Sequence, residues 1–297
     1  MGDDCAIIRP ENQKDIIITT NLMVCGIHFF SSISPSNLAE KLFRTSVSDI
    51  AAMGGIPNYI LLSITMPSIK RIWIKEFSRK FLLCLKKYRI DLIGGDISRG
   101  PLSINATTIG YVERKSRMMR SGARNKDLIY VTGNLGDSLV GLKILEKQIF
   151  LNNKKDSEYF VNKHIKPKIR LYCMNKIRNF INSAIDISDG VIKDLDKILY
   201  FSNCGAKIFL DKIPTSKKMS KIFGKKKSLY YAINGGEDQE ICFTIKKKYK
   251  EKIEKFFFDT GIKCTNIGKI LMNRKIIFVK NKKIINYPWK GYEHFEN

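Results

Sequence analysis

Acidic residues recur beside glycines or at the ends of apolar segments along this sequence. The motifs are GDD at 2–4, VSD at 47–49, GGD at 94–96, DISDG at 186–190 and GGED at 235–238. Glycine allows the backbone to turn tightly and to approach a ligand closely. Clustered carboxylates repel one another unless a divalent cation lies between them, and Mg²⁺ prefers such oxygen ligands. The pattern therefore indicates magnesium-dependent chemistry on phosphate groups.

Each motif taken alone has an ordinary structural explanation, because Gly-Asp is common in turns and Ser-Asp-Gly at helix starts. The sequence contains no Walker A loop, no G-x-G-x-x-G after a predicted strand and no kinase H-R-D loop. Its three histidines lack zinc-enzyme spacing. Its seven cysteines form no C-x-x-C pair, which is typical of buried free thiols in a cytosolic chain. The residues alone thus predict a phosphate enzyme of an unusual type.

The acidic motifs lie among predicted strands and helices that alternate along the chain, which favours an α/β (α+β) architecture over a barrel of hairpins. Apolar and β-branched segments predict strands at 14–24, 58–67, 90–95, 103–113, 127–133, 183–188, 205–210, 240–245, 275–280 and 282–287. Amphipathic segments predict helices at 37–55, 71–89, 136–148, 189–203 and 247–261. A charged stretch divides these elements into two blocks, and we predict domains at 1–118 and 119–297.

The chain is strongly basic, with 53 Lys and Arg against 28 Asp and Glu and a formal net charge of +25 over 297 residues. Such a charge attracts polyanions, so a nucleic-acid partner is one interpretation. The excess is mostly scattered lysine without a recognisable nucleic-acid-binding motif, which favours compositional drift. No apolar segment is long enough for a membrane helix, and the first residues do not form a secretory signal. We predict a cytoplasmic protein without a nucleic-acid or membrane partner.

Considered together and in order, the motifs resemble those of the thiamine-phosphate kinase family. The matching segments are GDDCA at 2–6, TTNLMVCGIHF at 19–29, SVSDIAAMGGIP at 46–57, LIGGDISRGP at 92–101, RSGA at 120–123, YVTGNLGDS at 130–138, NSAIDISDG at 182–190, NGGEDQE at 234–240 and WKGYEHF at 289–295. The resemblance implies transfer of the ATP γ-phosphate to thiamine monophosphate, giving thiamine diphosphate. It also implies the two-domain fold of aminoimidazole-ribonucleotide synthetase. In that fold the N-terminal mixed sheet pairs in a homodimer, and a C-terminal α/β domain follows as the second domain.

The resemblance also implies roles for individual residues. The Mg²⁺ ligands would be Asp4, Thr19, Thr20, Asn21, Asp49, Asp96, Asp186 and Asp189. ATP would be bound by Gly95, Asp96, Arg120 and Ser188, and thiamine monophosphate by His28, Glu237 and Tyr292. Arg120 can clamp phosphate oxygens, and Tyr292 can stack on a cationic ring. No residue is expected to act as a nucleophile, and Trp289 and His294 are assigned no chemistry, so the transfer would be direct.

Two departures from the family pattern bear on activity. The family usually has Asp where this chain has Asn21, so a neutral amide replaces one anionic ligand. The family also carries a segment before its GDD motif, whereas this sequence begins at MGDD. We expect weaker ATP binding if Asp4 has no preceding strand to hold it.

Three alternatives to the kinase remain open. The chain could be another ATP-dependent synthetase of the same superfamily, although the WKGYEHF and TTNLMVCGIHF segments argue against this. It could be a decayed, non-catalytic protein that binds thiamine phosphates, which Asn21 favours. It could also be a basic nucleic-acid-binding protein, whose affinity would fall steeply with salt.

Overall fold

The computed structural model describes residues 2–10 and 13–293, so Met1 and His294 of the motifs above lie outside the described residues. Its strands are β1 Ala6–Ile8, β2 Lys14–Val24, β3 Ile56–Met66, β4 Asp91–Arg99, β5 Ser103–Glu113, β6 Leu128–Thr132, β7 Ile181–Asp186, β8 Gly205–Phe209, β9 Ile241–Ile245, β10 Cys264–Leu271, β11 Ile276–Lys280 and β12 Lys283–Ile285. Its α-helices are α1 Pro35–Ala52, α2 Arg71–Tyr88, α3 Asp137–Leu145, α4 Lys154–Ile165, α5 Leu171–Ile177, α6 Val191–Phe201, α7 Lys217–Asn234 and α8 Lys250–Asp259.

The N-terminal half forms a five-stranded mixed sheet in the order β1-β2-β5-β3-β4. The β3–β4 pair is parallel, whereas β2 and β3 both pair antiparallel with β5. Side chains alternate between the two faces of each strand, so β5 buries every second residue. One face packs on α1 and α2 through apolar side chains that include Leu42, Phe43 and Phe81. The opposite face leaves Leu22 56% exposed.

Helix α1 begins with a cap that the sequence supplies locally. The Ser34 hydroxyl accepts a hydrogen bond from the Asn37 N–H at 3.2 Å, and Pro35 occupies the first turn. The helix ends at Ala52, shortly before Gly54, whose φ of 71° is a left-handed conformation that glycine adopts readily. Its last turn carries Asp49, so the end of this helix fixes one acidic residue.

The C-terminal half forms a seven-stranded mixed sheet in the order β12-β11-β8-β10-β6-β9-β7. Strands β6, β9 and β7 pair antiparallel, and β11 is parallel to β8. Ile185 and Leu195 belong to the apolar core that packs α6 against this sheet. Asp186 is the last residue of β7, which places its carboxylate where the strand meets the loop before α6.

The predicted α/β architecture is confirmed, and each predicted strand and helix has a counterpart. The ends of β2 and β5 are those predicted, and every other counterpart is shifted at one end or both. One local prediction is wrong. Asp96, expected after a strand that ends at Gly95, lies inside β4, which continues to Arg99. Five further elements were not predicted: β1, β10, α4, α5 and α7.

The first sheet ends at Glu113 and the second begins at Leu128, so the proposed boundary between residues 118 and 119 falls in the connecting segment and stays a prediction. Helix α1 contacts elements of the second half, namely α4, α5 and β7. The Arg44 guanidinium, for example, donates to the Pro167 carbonyl at 3.0 Å. Within residues 2–10 and 13–293, no helix combines the length and the apolar character needed to cross a lipid bilayer.

Candidate active site

Three carboxylates from distant parts of the chain meet between the two sheets. Asp4 precedes β1, Asp49 lies in the last turn of α1, and Asp186 ends β7. One oxygen of each lies within 4.8 Å of the others. This cluster joins the two halves of the chain, as the acidic motifs of the sequence suggested.

Hydrogen bonds hold each carboxylate of the cluster in place. Asp49 Oδ2 accepts from Thr19 Oγ1 at 2.6 Å and from Asn21 Nδ2 at 2.8 Å. Asp186 Oδ2 accepts from the hydroxyl of Ser48, the residue beside Asp49 on α1, at 3.1 Å. Asp49 and Asp186 are therefore positioned from β2, α1 and β7 together.

Arg120 is the cation that compensates part of the cluster's charge. Its Nη2 donates to Asp4 Oδ1 at 2.6 Å, and its backbone N–H donates to Asp3 Oδ1 at 2.7 Å. Two buried atoms, Asp4 Oδ2 and Arg120 Nε, have no hydrogen-bond partner among the described residues. A buried carboxylate oxygen without a partner is costly, so this oxygen is available for a ligand.

Burial and mutual repulsion make these acids hard to ionise in the metal-free protein. Burial, together with the neighbouring Asp186, raises the pKa of Asp49 to about 7. Burial also raises the pKa of Asp4 to about 7, partly opposed by Arg120. The pKa of Asp186 is raised well above its usual range by burial and by Asp4. A divalent cation would relieve this repulsion, so the residues present fit a magnesium ion.

The Ser188–Gly190 turn follows the cluster and is held by Asp194 of α6. Asp194 Oδ2 accepts the backbone N–H groups of Ser188, Asp189 and Gly190 at 3.0, 2.9 and 3.1 Å. Lys197 Nζ bridges Asp189 and Asp194 at 2.8 Å each. The turn is thus locked before the helix begins, with Asp189 partly exposed at its surface.

Thr20 and Asp96 lie on the other face of the N-terminal sheet. Thr20 Oγ1 contacts Thr107 Oγ1 at 3.0 Å, whereas its neighbours on β2 point to Asp49. The register places Asp96 beside Ser63, and Ser63 beside Asn105, whose side chain accepts from Thr20. Opposed residues share a face of a sheet. Within this chain the structure therefore does not bring Thr20 or Asp96 to the acidic cluster.

Gly95 has a structural requirement of its own. A Cβ atom at this position would lie 1.9 Å from the Leu62 carbonyl oxygen on β3, so no other residue fits without moving the backbone. This contact explains the glycine independently of any nucleotide, and its predicted contact with ATP stays a prediction.

A second polar group surrounds Glu237, in the loop between α7 and β9. Lys41 Nζ, whose side chain is 2% exposed, lies 2.9 Å from Glu237 Oε1. It also donates to the His28 carbonyl and contacts His164 Nε2, both at 3.0 Å. Partial burial raises the pKa of the Glu237 carboxyl, but Lys41 and His164 lower it by more, so its pKa lies below the ordinary value. We call Lys41, His164 and Glu237 the interdomain clamp.

His28 and Tyr292, the other predicted substrate residues, have distinct surroundings. The Val24 N–H donates to His28 Nδ1 at 3.0 Å, which fixes the imidazole at the end of β2. Tyr292 is 46% exposed, and its N–H donates to the Asp189 carbonyl at 2.9 Å. The structure thus attaches the closing segment to the Ser188–Gly190 turn.

Comparison with known proteins is consistent with this geometry. Models of the AIR synthase related protein family match residues 2–112 with its N-terminal domain and residues 125–280 with its C-terminal domain. The thiamine-monophosphate kinase of Buchnera aphidicola subsp. Schizaphis graminum is 45% identical over 99% of this chain and 92% of the relative. The chain belongs to the thiamine-monophosphate kinase family.

Two further members of this family support the assignment. The thiamine-monophosphate kinase of Escherichia coli K12 is 37% identical over 99% of this chain and 91% of its own length. The solved structure of AaThiL complexed with AMPPCP and TMP superposes with a TM-score of 0.86 at 27% identity, covering 99% of this chain and 92% of that chain. The predicted family and fold are therefore confirmed.

Sequence reasoning missed four residues of this family member's site: Lys41, His164, Asp194 and Lys197. For Asp194 and Lys197 a signal existed, because an acid in the first turn of a helix can accept the N–H groups of the preceding turn. For Lys41 and His164 there was no local signal, since they are far apart in sequence and neither adjoins a glycine motif.

Proposed function

We propose that the protein transfers the γ-phosphate of ATP to thiamine monophosphate, the last step in forming thiamine diphosphate. The observation that carries the proposal is the cluster of Asp4, Asp49 and Asp186 in a chain 45% identical, along 99% of its length, to a thiamine-monophosphate kinase. AaThiL, a protein of the same fold, has been solved with AMPPCP and TMP bound.

Asp4, Asp49 and Asp186 would hold Mg²⁺, with Asp189 at the adjoining turn. When bound, the metal neutralises charge on the phosphate oxygens. Arg120 would orient phosphate oxygens, because its guanidinium lies beside Asp4 and its Nε–H, which has no partner among the described residues, can donate to a phosphate oxygen. The chain's own contribution is positioning and charge, which suits a direct transfer without a covalent enzyme intermediate.

Glu237, His28 and Tyr292 would bind the organic part of the acceptor. Glu237 is 34% exposed and carries a negative charge at neutral pH, because its pKa is lowered. A carboxylate can accept hydrogen bonds from an aminopyrimidine or pair with a cationic thiazolium ring. The exposed ring of Tyr292 can stack on the same ligand.

The protein would act as a homodimer formed through the open face of the N-terminal sheet and the β4 edge. All nine residues of β4 are exposed, and Leu22 and Ile97 are 56% and 55% exposed. Edge strands and apolar faces of this kind invite pairing. Thr20 and Asp96 lie on this face, so a dimer would place them at the boundary between two chains. A cytoplasmic location stays a prediction from the family resemblance.

The test is to incubate the purified protein with ATP, MgCl₂ and thiamine monophosphate and to separate the products by chromatography. We expect thiamine diphosphate from the wild type and from Asp259→Asn, an exposed control at the end of α8, but not from Asp186→Asn. A wild type that binds thiamine monophosphate without converting it would instead be a non-catalytic binder. That alternative has a specific observation in its favour, because Asn21 directs an amide N–H, not a carboxylate, at Asp49.

A further inference from the structure

The interdomain clamp joins three elements that are distant in sequence. Lys41 belongs to α1 of the N-terminal half, His164 to α4, and Glu237 to the loop between α7 and β9. The ammonium of Lys41 has three acceptors: Glu237 Oε1 at 2.9 Å, the His28 carbonyl at 3.0 Å and His164 Nε2 at 3.0 Å. Since an ammonium has three N–H donors, its hydrogen-bonding capacity is filled.

This arrangement determines the protonation of His164. Because Nε2 accepts from Lys41, the proton of the neutral imidazole lies on Nδ1. His164 Nδ1 is 3.3 Å from Glu237 Oε2 and 3.2 Å from Ser138 Oγ. Burial and Lys41 lower the pKa of His164 to about 4, opposed by Glu237, so the imidazole is neutral at pH 7. Both oxygens of Glu237 thus face a donor of the clamp.

The backbone of Glu237 is strained in a way that needs such support. Its φ of 58° lies in the left-handed region, which non-glycine residues adopt only when their surroundings impose it. The Glu237 N–H donates to the Ser188 carbonyl at 2.8 Å, which ties the residue to the turn beside the acidic cluster. The position of this carboxylate is therefore held from its backbone and from both of its oxygens.

We propose that Lys41 and His164 are positioning residues, which fix the Glu237 carboxylate in one orientation for the thiamine moiety of the acceptor by holding it from both halves of the chain. The inference rests on the proposed function for the identity of the acceptor. Lys41 keeps the carboxylate ionised, and His164 directs its second oxygen. Neither residue needs to contact the reacting phosphates.

The first test separates the two substrates in steady-state kinetics. Lys41→Met keeps the length of the side chain and removes the ammonium from Glu237, so we expect KM for thiamine monophosphate to rise about tenfold or more at pH 7. KM for ATP should stay within about twofold. Burial raises the pKa of Glu237 once Lys41 is gone, so its carboxylate ionises at a higher pH and activity should partly recover there. The remaining titratable neighbours of Glu237, His164 and His28, do not replace the charge of Lys41.

Two further variants make this result specific. Lys80→Met is the matched control, because Lys80 pairs with Glu40 at 2.8 Å on another side of α1, and its KM values should equal those of the wild type. Lys41→Arg keeps the charge and should restore a wild-type pH profile with a smaller rise in KM. If Lys41→Met does not fold, Lys41→Arg carries the test, and equal KM values for it and the wild type would overturn the proposal.

The second test does not depend on activity. The chain has three histidines, so the imidazole signals can be followed by NMR and that of His164 assigned with His164→Gln. Lys41 lowers and Glu237 raises the pKa of His164, so Lys41→Met should move its titration above the wild-type value near 4. An unchanged titration, or a loss of kcat with both KM values unaltered, would refute the clamp. A wild type that shows the predicted titration but makes no thiamine diphosphate would instead refute the proposed function.

Discussion

Replacing Asp49 by Asn should stabilise the metal-free protein at pH 8 while abolishing the kinase reaction. The folded-state pKa of Asp49 is about 7, above the ordinary value of 3.8, so the folded protein binds this proton more tightly than the unfolded chain does. Stability from this group is therefore present at low pH and is lost as the pH rises to about 7. Asparagine remains neutral and can still accept the hydrogen bonds of Thr19 and Asn21.

The size of the effect follows from the pH interval. Between pH 5 and pH 7 the wild type loses about 3 kcal/mol relative to the variant, at about 1.4 kcal/mol for each pH unit. At about 2 °C per kcal/mol for a chain of this size, the difference in melting temperature should increase by about 6 °C between pH 5 and pH 8. Mg²⁺ should reverse the order at pH 8, because it stabilises the ionised cluster of the wild type only.

Thermal melting in EDTA and in MgCl₂, at both pH values, measures these quantities. Asp259→Asn serves as the control for the loss of one carboxylate, since this residue is exposed at the end of α8. If the melting temperatures of Asp49→Asn and the wild type differ by the same amount at pH 5 and pH 8, ionisation of Asp49 does not destabilise the folded protein. Retention of kinase turnover by the variant would show that Asp49 holds no essential metal.

Three other predictions concern the metal ligands and the open sheet face. Asn21→Asp should lower the Mg²⁺ concentration for half-maximal activity, because it supplies an anionic ligand. It should also lower the metal-free melting temperature at pH 8, because it adds charge beside Asp49. A Mg²⁺ titration of activity checks the first effect, and an unchanged Mg²⁺ concentration for half-maximal activity contradicts it. Asp189→Asn should cut turnover by orders of magnitude while melting like the wild type, whereas near-normal turnover at low Mg²⁺ would remove it from the site. Asp96 lies on the other face of the sheet and its metal role comes from the family resemblance alone, so the same assay of Asp96→Asn tests that role. Leu22→Lys, on the open face, should convert the dimer to a monomer in light scattering at micromolar concentration, and a wild type that is already monomeric would refute the interface.

The sequence pointed to Asp4 and Asp186 because both lie in motifs with neighbouring glycines, where patterns are local. The family resemblance supplied the full set of metal ligands, which stays a prediction, and the strand that follows Asp4 was not predicted. Adjacent residues of a strand cannot face the same side, however, so Thr19 and Thr20 could not both point to Asp49. The family motif names them together, and only the sheet register separates them.

Two elements and one side-chain contact could not be predicted from local sequence patterns, and each has a physical reason. Helix α7 was missed because lysines obscure its amphipathic pattern and Gly224, with φ of 72°, interrupts its helical backbone. Strand β10 was missed because Gly268 and Lys269 break its apolar run. The pairing of Lys41 with His164 depends on how the two halves of the chain dock, and nothing in either local sequence encodes that contact.

Helix α1 also sets a length scale for the whole site. Lys41 and Asp49 lie eight positions apart on this one helix, which corresponds to roughly 12 Å along its axis at about 1.5 Å per residue. A continuous helix resists stretching, because a change in its length would break backbone hydrogen bonds. Helix α1 therefore holds Lys41 of the clamp and Asp49 of the acidic cluster at a fixed separation. A ligand that reaches from one to the other must fit a separation that this helix keeps constant.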